Sequence, residues 1–255
     1  MMKKEEMKAF LDEKADFYNS VDFIGDDPIQ IPHRFSLRQD IEISGFLTAT
    51  ISWGNRKSII KSTEKILEIM ENSPYDFISN VSNAELENLE GKTIHRTFNG
   101  SDLAVFFRNL QRLYKQHESL ENIFLLEENE VNFYHALYRF RQNFLGNEVH
   151  RCRKHVSSTY KNSSAKRLMM FLRWMVRNDR RGVDFGLWNK IPMSALSVPL
   201  DVHTGNISRK LGLIERKQND WKTVEEMDLT LREFDSEDPA KYDFALFGLG
   251  VSKDF

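Results

Sequence analysis

The chain has 255 residues, 40% hydrophobic and 29% charged, with a net charge of −2. That balance excludes a disordered chain, and the lack of any apolar run near ~18 residues excludes a helical membrane span. Cys152 is the single cysteine, which excludes an internal disulfide, a four-cysteine iron–sulfur cluster and a cysteine-rich zinc site.

In chain order, the first segment, EEMKAFLDEKADFYNSV, spaces Met7, Phe10, Leu11 and Phe17 as a helix does. It contains no apolar signal core, so the expected location is a reducing cytoplasm. DIEISGFLTATISW reads as a buried helix with Gly45 at a close-packing point. NRKSIIKSTEKILEIMEN follows as an amphipathic helix. Two short helices are expected in SPYDFISN, where Pro74 stands early, and SNAELENLEG, closed by Gly91. KTIHRTFNG is the best candidate for a strand pair. Longer helices are expected in GSDLAVFFRNLQRLYKQH, in EVNFYHALYRFRQNFLG and in NSSAKRLMMFLRWMVRND. FGLWNKIPMSAL reads as short turns. Three helices close the chain, opening at Asp201, near Trp221, and at Asp238–Pro239, where Asp238 is placed as N-cap. The expected fold class is all-α.

Charge is segregated along the chain. Between Arg139 and Arg181 stand twelve Lys/Arg against two acids. Such a block suits a face for a polyanion, and equally a solvated helical surface.

Two residues could carry chemistry. Asp201, after Pro199 and before VHTGNISRKLGL, is placed to cap a helix, where its carboxylate is held charged by the first amides. Lys166 lies in the first turn of its helix, behind Ser163 and Ser164, which are expected to cap it. The helix dipole and Arg167 both disfavour an ammonium there, and an amine nucleophile needs the unprotonated form. A plain capping aspartate and a surface lysine fit the same pattern. Lys166, Met170, Arg173 and Arg177 share a face beside the apolar stripe.

VPLDVHTGNISRKLGL resembles the segment of the helix-hairpin-helix DNA glycosylases in which a catalytic aspartate opens a helix. On that resemblance Asp201 matches the aspartate and Lys166 the nucleophilic lysine. TATISWGNRKSIIKSTEKIL is similar to the segment that fills the gap left by an extruded base, with Asn55 at the filling position and Arg56 beside it. The chain lacks the Gly-rich hairpin of most members. A lysine on a regular helix 35 residues before Pro-x-Asp looks instead like the archaeal 8-oxoguanine glycosylase branch and an uncharacterised bacterial family related to it.

The resemblance implies two helical lobes around a cleft, approximately 40–160 and 1–39 plus 161–255. It implies removal of an oxidised purine such as 8-oxoguanine from double-stranded DNA, with an AP-lyase step as an option, and neither metal nor cofactor. Asp243, Phe247 and Met170 are then the base-recognition residues. Ser163, Ser164, Arg173, Arg177 and His203 join Asn55 and Arg56 on the DNA. Read from the residues alone, Asp243 and Phe247 fit better as a first-turn acid and a core ring. The alternative from another class is a non-catalytic nucleic-acid-binding protein that keeps the fold without the reaction.

Overall fold

The computed structural model describes residues 2–146 and 151–252. Its helices in chain order are α1 (Lys4–Tyr18), α2 (Arg38–Thr50), α3 (Arg56–Ile69), α4 (Pro74–Asn80), α5 (Asn83–Glu87), α6 (Gly100–Tyr114) and α7 (Tyr134–Leu145), followed by α8 (Lys166–Val176), α9 (Val202–Leu211), α10 (Trp221–Phe234) and α11 (Tyr242–Val251). A two-stranded antiparallel hairpin, β1 (Thr93–His95) with β2 (Phe98–Asn99), falls where KTIHRTFNG predicts it. The protein is thus mostly helical, and no described helix is long and apolar enough to cross a membrane. Short 3-10 turns between residues 21 and 34, and over 120–123, 151–155 and 159–161, carry no periodic signal and were not expected.

The chain divides into two compact units. One comprises Met1–Phe23, Leu126–Leu137 and Ser158–Phe255, and the other Ile24–Leu125 and Tyr138–Ser157. Residues 24–39 therefore group with the second unit rather than with the N-terminal helix. Ile29 and Ile31 there are fully buried, one on and one between two 3-10 turns that pack against α2.

In the second unit, α2 is enclosed over residues 41–50. Phe46 stacks on Phe106 and meets the edges of Phe140 and Phe144. Glu42 is the one acid in that enclosed stretch and has no solvent exposure. It accepts from Tyr114 Oη at 2.8 Å, Ser119 Oγ at 2.5 Å, the Leu120 amide at 2.9 Å and Arg38 Nε at 3.1 Å. A buried carboxylate persists only when so fully bonded.

In the first unit, α11 is the centre and packs on α1 and α9. Two glycines allow the approach. A Cβ on Gly248 would lie 2.3 Å from Tyr18 Cδ2, and one on Gly250 would lie 3.0 Å from His203 Cβ. The Tyr242 hydroxyl donates to Asp12 Oδ1 at 2.9 Å, tying α11 to α1. Asp238 does not cap with its side chain. A 3-10 turn from Pro239 to Lys241 precedes α11, and the Asp238 carboxylate is bound to Arg177.

Gly248→Ala should destabilise the fold by about 1–3 kcal/mol, the range for overpacking a close contact. Urea unfolding would read this as a lowered midpoint.

Candidate active site

Asp201 is the N-cap of α9, as its sequence context requires. Its Oδ1 accepts the Thr204 amide at 3.0 Å. The main chain is fixed as well, because Asn219 Nδ2 donates to the Asp201 carbonyl at 2.9 Å. That contact needs Gly205, since a Cβ there would come within 2.6 Å of Asn219 Oδ1. Capping uses one carboxylate oxygen and leaves the other, Oδ2, turned towards Lys166, whose Nζ is 4.0 Å away. Residues 35 apart in the chain thus form one pair. The lysine and aspartate side chains are 27% and 22% exposed, so an incoming molecule can reach the amine.

Lys166 is the first residue of α8, and its amine also lies 3.9 Å from Met170 Sδ, one turn on. The serines do not cap this helix. The N-cap is Ala165, a buried alanine at φ 49° that makes no side-chain capping bond. This left-handed residue turns the chain between serines and helix. Ser163 instead bridges to Asp220, and its Oγ accepts the Ala165 amide at 3.2 Å. Ser164 Oγ donates to the Leu200 carbonyl at 3.3 Å, joining the start of α8 to the residue before Asp201. An L-residue in this conformation costs about 1–2 kcal/mol, and here it sets the direction from which Lys166 leaves the helix.

Arg173 and Arg177 are not available to phosphates, contrary to expectation. Both are buried. Arg173 binds Asp184 at 3.2 Å and also Asp243, while Arg177 binds Asp179 and Asp238 at 2.8 Å and Asp184 at 3.2 Å. The Phe244 ring lies under both guanidinium groups, 4.4 and 5.3 Å from its centroid. A face that looks polar on a helical wheel is therefore an interior face, because aspartates from three other segments meet it. Arg141 is internal too, donating to the Val156 and Arg153 carbonyls.

Asp243 is buried against Arg173 rather than offered to solvent. Burial pushes its carboxyl up to about 6; Arg173 pulls it down and the Asp201 carboxylate raises it further. Its response to both Asp201 and Lys166 puts it electrostatically beside the pair. Phe247, one turn on, is partly exposed and meets the edges of Phe23 and His203. His203 is exposed and donates from Nδ1 to the Gly250 carbonyl at 3.2 Å, so it tethers α9 to the end of α11. In the second unit Asn55 is the N-cap of α3, accepting the Ser58 amide at 3.3 Å, with Arg56 the first helical residue. No group of three or more His, Cys, Asp or Glu able to hold a metal occurs among the described residues.

Sequence reasoning missed the supports of Asp201. Asp228 on α10 accepts from Ser197 Oγ at 2.6 Å. Arg232, one turn later, donates to the Ser194 and Leu196 carbonyls. Together they clamp the buried run 195–200 that delivers Asp201. The available signal was an acid on the apolar stripe of Val224, Met227 and Leu231. Asp184, an acid between Val183 and Phe185, gave the same signal.

Arg173→Met should cost about 3–5 kcal/mol, because it strands the buried Asp243 charge and leaves Asp184 to Arg177 alone; chemical denaturation measures it. Burial pushes Asp228 up to about 6, against about 3.9 in an unfolded chain. The native state therefore holds the extra proton between those values. The contribution of this group is complete below about pH 4 and is lost as pH rises through about 6. Over that interval the Tm of the wild type should fall relative to that of Asp228→Asn.

Neither a curated protein nor a solved structure matches this chain. A family profile described as a protein of unknown function, DUF2400, matches residues 27–252. That span holds every residue of the site described above, and the chain belongs to this family.

Proposed function

We propose that the protein is a lysine-dependent DNA glycosylase acting on an oxidised purine, of which 8-oxoguanine is the type. The observation that carries this reading is the Lys166–Asp201 pair: a reachable amine 4.0 Å from a carboxylate whose other oxygen is fixed by a helix amide. Such a pair suits attack on a sugar carbon, where an amine must act beside a charge that offsets the developing cation. The base must first leave the stack, since a paired nucleotide hides that carbon.

In the reaction proposed, the unprotonated Lys166 amine forms a bond to C1′ as the bond from C1′ to the base nitrogen breaks. The base leaves with the electron pair and takes up a proton. Asp201 offsets the positive charge on the sugar and accepts a proton from the attacking nitrogen. The nitrogen lone pair then forms the C=N bond as the C1′–O4′ bond breaks and O4′ takes up a proton from Asp201 or water, giving a Schiff base from which elimination can cleave the strand. Asp243, buried against Arg173, holds α11 beside the pair rather than meeting the extruded base. Phe247 and Met170 supply apolar contact to it.

Borohydride trapping on duplexes carrying a single 8-oxoguanine or an abasic site tests the reading. The wild type should give a covalent complex, lost in Lys166→Gln and reduced by about 10²-fold or more in Asp201→Asn. Asn caps nearly as well as Asp, so Asp201→Asn should keep its Tm. Duplex binding with no trapped complex on any lesion would favour the non-catalytic binding protein.

A further inference from the structure

We propose that Arg96, at the tip of the β1–β2 hairpin, forms with Lys57 and Arg151 a cationic surface that takes the phosphate backbone of duplex DNA. The proposal rests on the nucleic-acid reading above and extends it to a part of the second unit that this reading leaves without a role.

The hairpin turns through two residues, Arg96 and Thr97, between His95 and Phe98, which pair across it. Arg96 has φ 50°. The first position of such a turn is one where glycine is the usual solution, because an L side chain is strained there. An arginine kept at a strained, exposed tip points to use of the side chain rather than of the turn. Its guanidinium lies against Gly54, where a Cβ would stand 3.0 Å from both Arg96 Cζ and Nη1. Gly54 is itself at φ +100°, so this seat requires glycine. Among the described residues the Arg96 guanidinium has neither a carboxylate nor a hydrogen-bond partner.

The surroundings hold this tip rigidly and make it positive. His95 hydrogen-bonds Ser62 Oγ and the Trp53 carbonyl, both at 3.0 Å, and so locks the hairpin to the loop before α3. Arg151, itself exposed, donates to the Thr97 carbonyl at 2.7 Å. Its nearby carboxylate, Asp102 at 3.5 Å, is buried and also faces His155. The first turn of α3 carries Arg56 and the exposed Lys57 and no acid. Cations at that end of a helix oppose its dipole. A strained arginine and like charges at the wrong helix end both disfavour the free protein, and a bound polyanion offsets both. The phosphates of a duplex supply such charges at a regular spacing.

The test is the salt dependence of binding to an unmodified DNA duplex by fluorescence anisotropy, for wild type, Arg96→Gly and Lys57→Gln. Each variant should lower the magnitude of the slope of log K against log salt by about one. Arg96→Gly should do so with its Tm maintained or raised, since glycine is relaxed at this φ. That result separates a binding role from a structural one. Wild-type slope and affinity in Arg96→Gly would overturn the proposal and leave the Lys166–Asp201 reading standing. Binding to RNA or single strands in place of duplex DNA would also overturn it. A wild type that neither binds a duplex nor traps on an abasic site would remove the parent reading and this one together.

Discussion

The arrangement around Lys166 depends on two arginines held inside the protein by four aspartates. Arg173 lies on α8 and Arg177 caps its C-terminal end, and their partners come from the segment after α8, from the turn before α11 and from α11 itself. Buried ion pairs add little net stability compared with apolar packing, but a missing partner leaves a charge stranded. The network therefore admits one rotation of α8 about its axis. With that rotation set, Lys166, two turns before Arg173, leaves the first turn of α8 on the side where Asp201 stands. The aromatic face of Phe244 beneath both guanidinium groups adds a further constraint on their planes.

Asp201 is delivered by a different device. Its carboxylate is divided between two tasks, one oxygen capping α9 and the other facing the amine. The backbone behind it is held by Asn219, by Ser164 and, through Ser197, by Asp228. Few of these contacts involve flexible surface side chains, so the carboxylate has little freedom to swing. A cap that also serves chemistry is economical: the helix amide that keeps Oδ1 in place also fixes the direction in which Oδ2 faces the amine.

The basic run between Arg139 and Arg181 shows how far charge counting can mislead. Arg141, Arg173 and Arg177 are interior, bound to carbonyls or carboxylates, and Arg139 donates to the Leu125 carbonyl. Arg151, Lys154, Lys161 and Arg180 of the run are exposed, and so are Arg96 and Lys57, far from it in sequence. Electrostatic footprints belong to surfaces, and a linear count weighs buried and exposed charges alike.

Local rules by themselves determined the helical class, most helix positions, the hairpin at KTIHRTFNG and the capping role of Asp201, because periodicity, caps and turn residues act over a few positions. They failed at Ser163 and Ser164, where a left-handed Ala165 moves the helix start past both serines, and at Asp238, whose carboxylate is drawn to Arg177. Only the tertiary structure decided that Arg173 on α8 and Arg177 at its end turn inward, that Asp228 and Asp184 are buried supports, and that Lys166 meets Asp201 across 35 residues of chain. Those outcomes depend on which side chains of distant segments face one another, and the energy of a buried charge is fixed by partners that no local window contains.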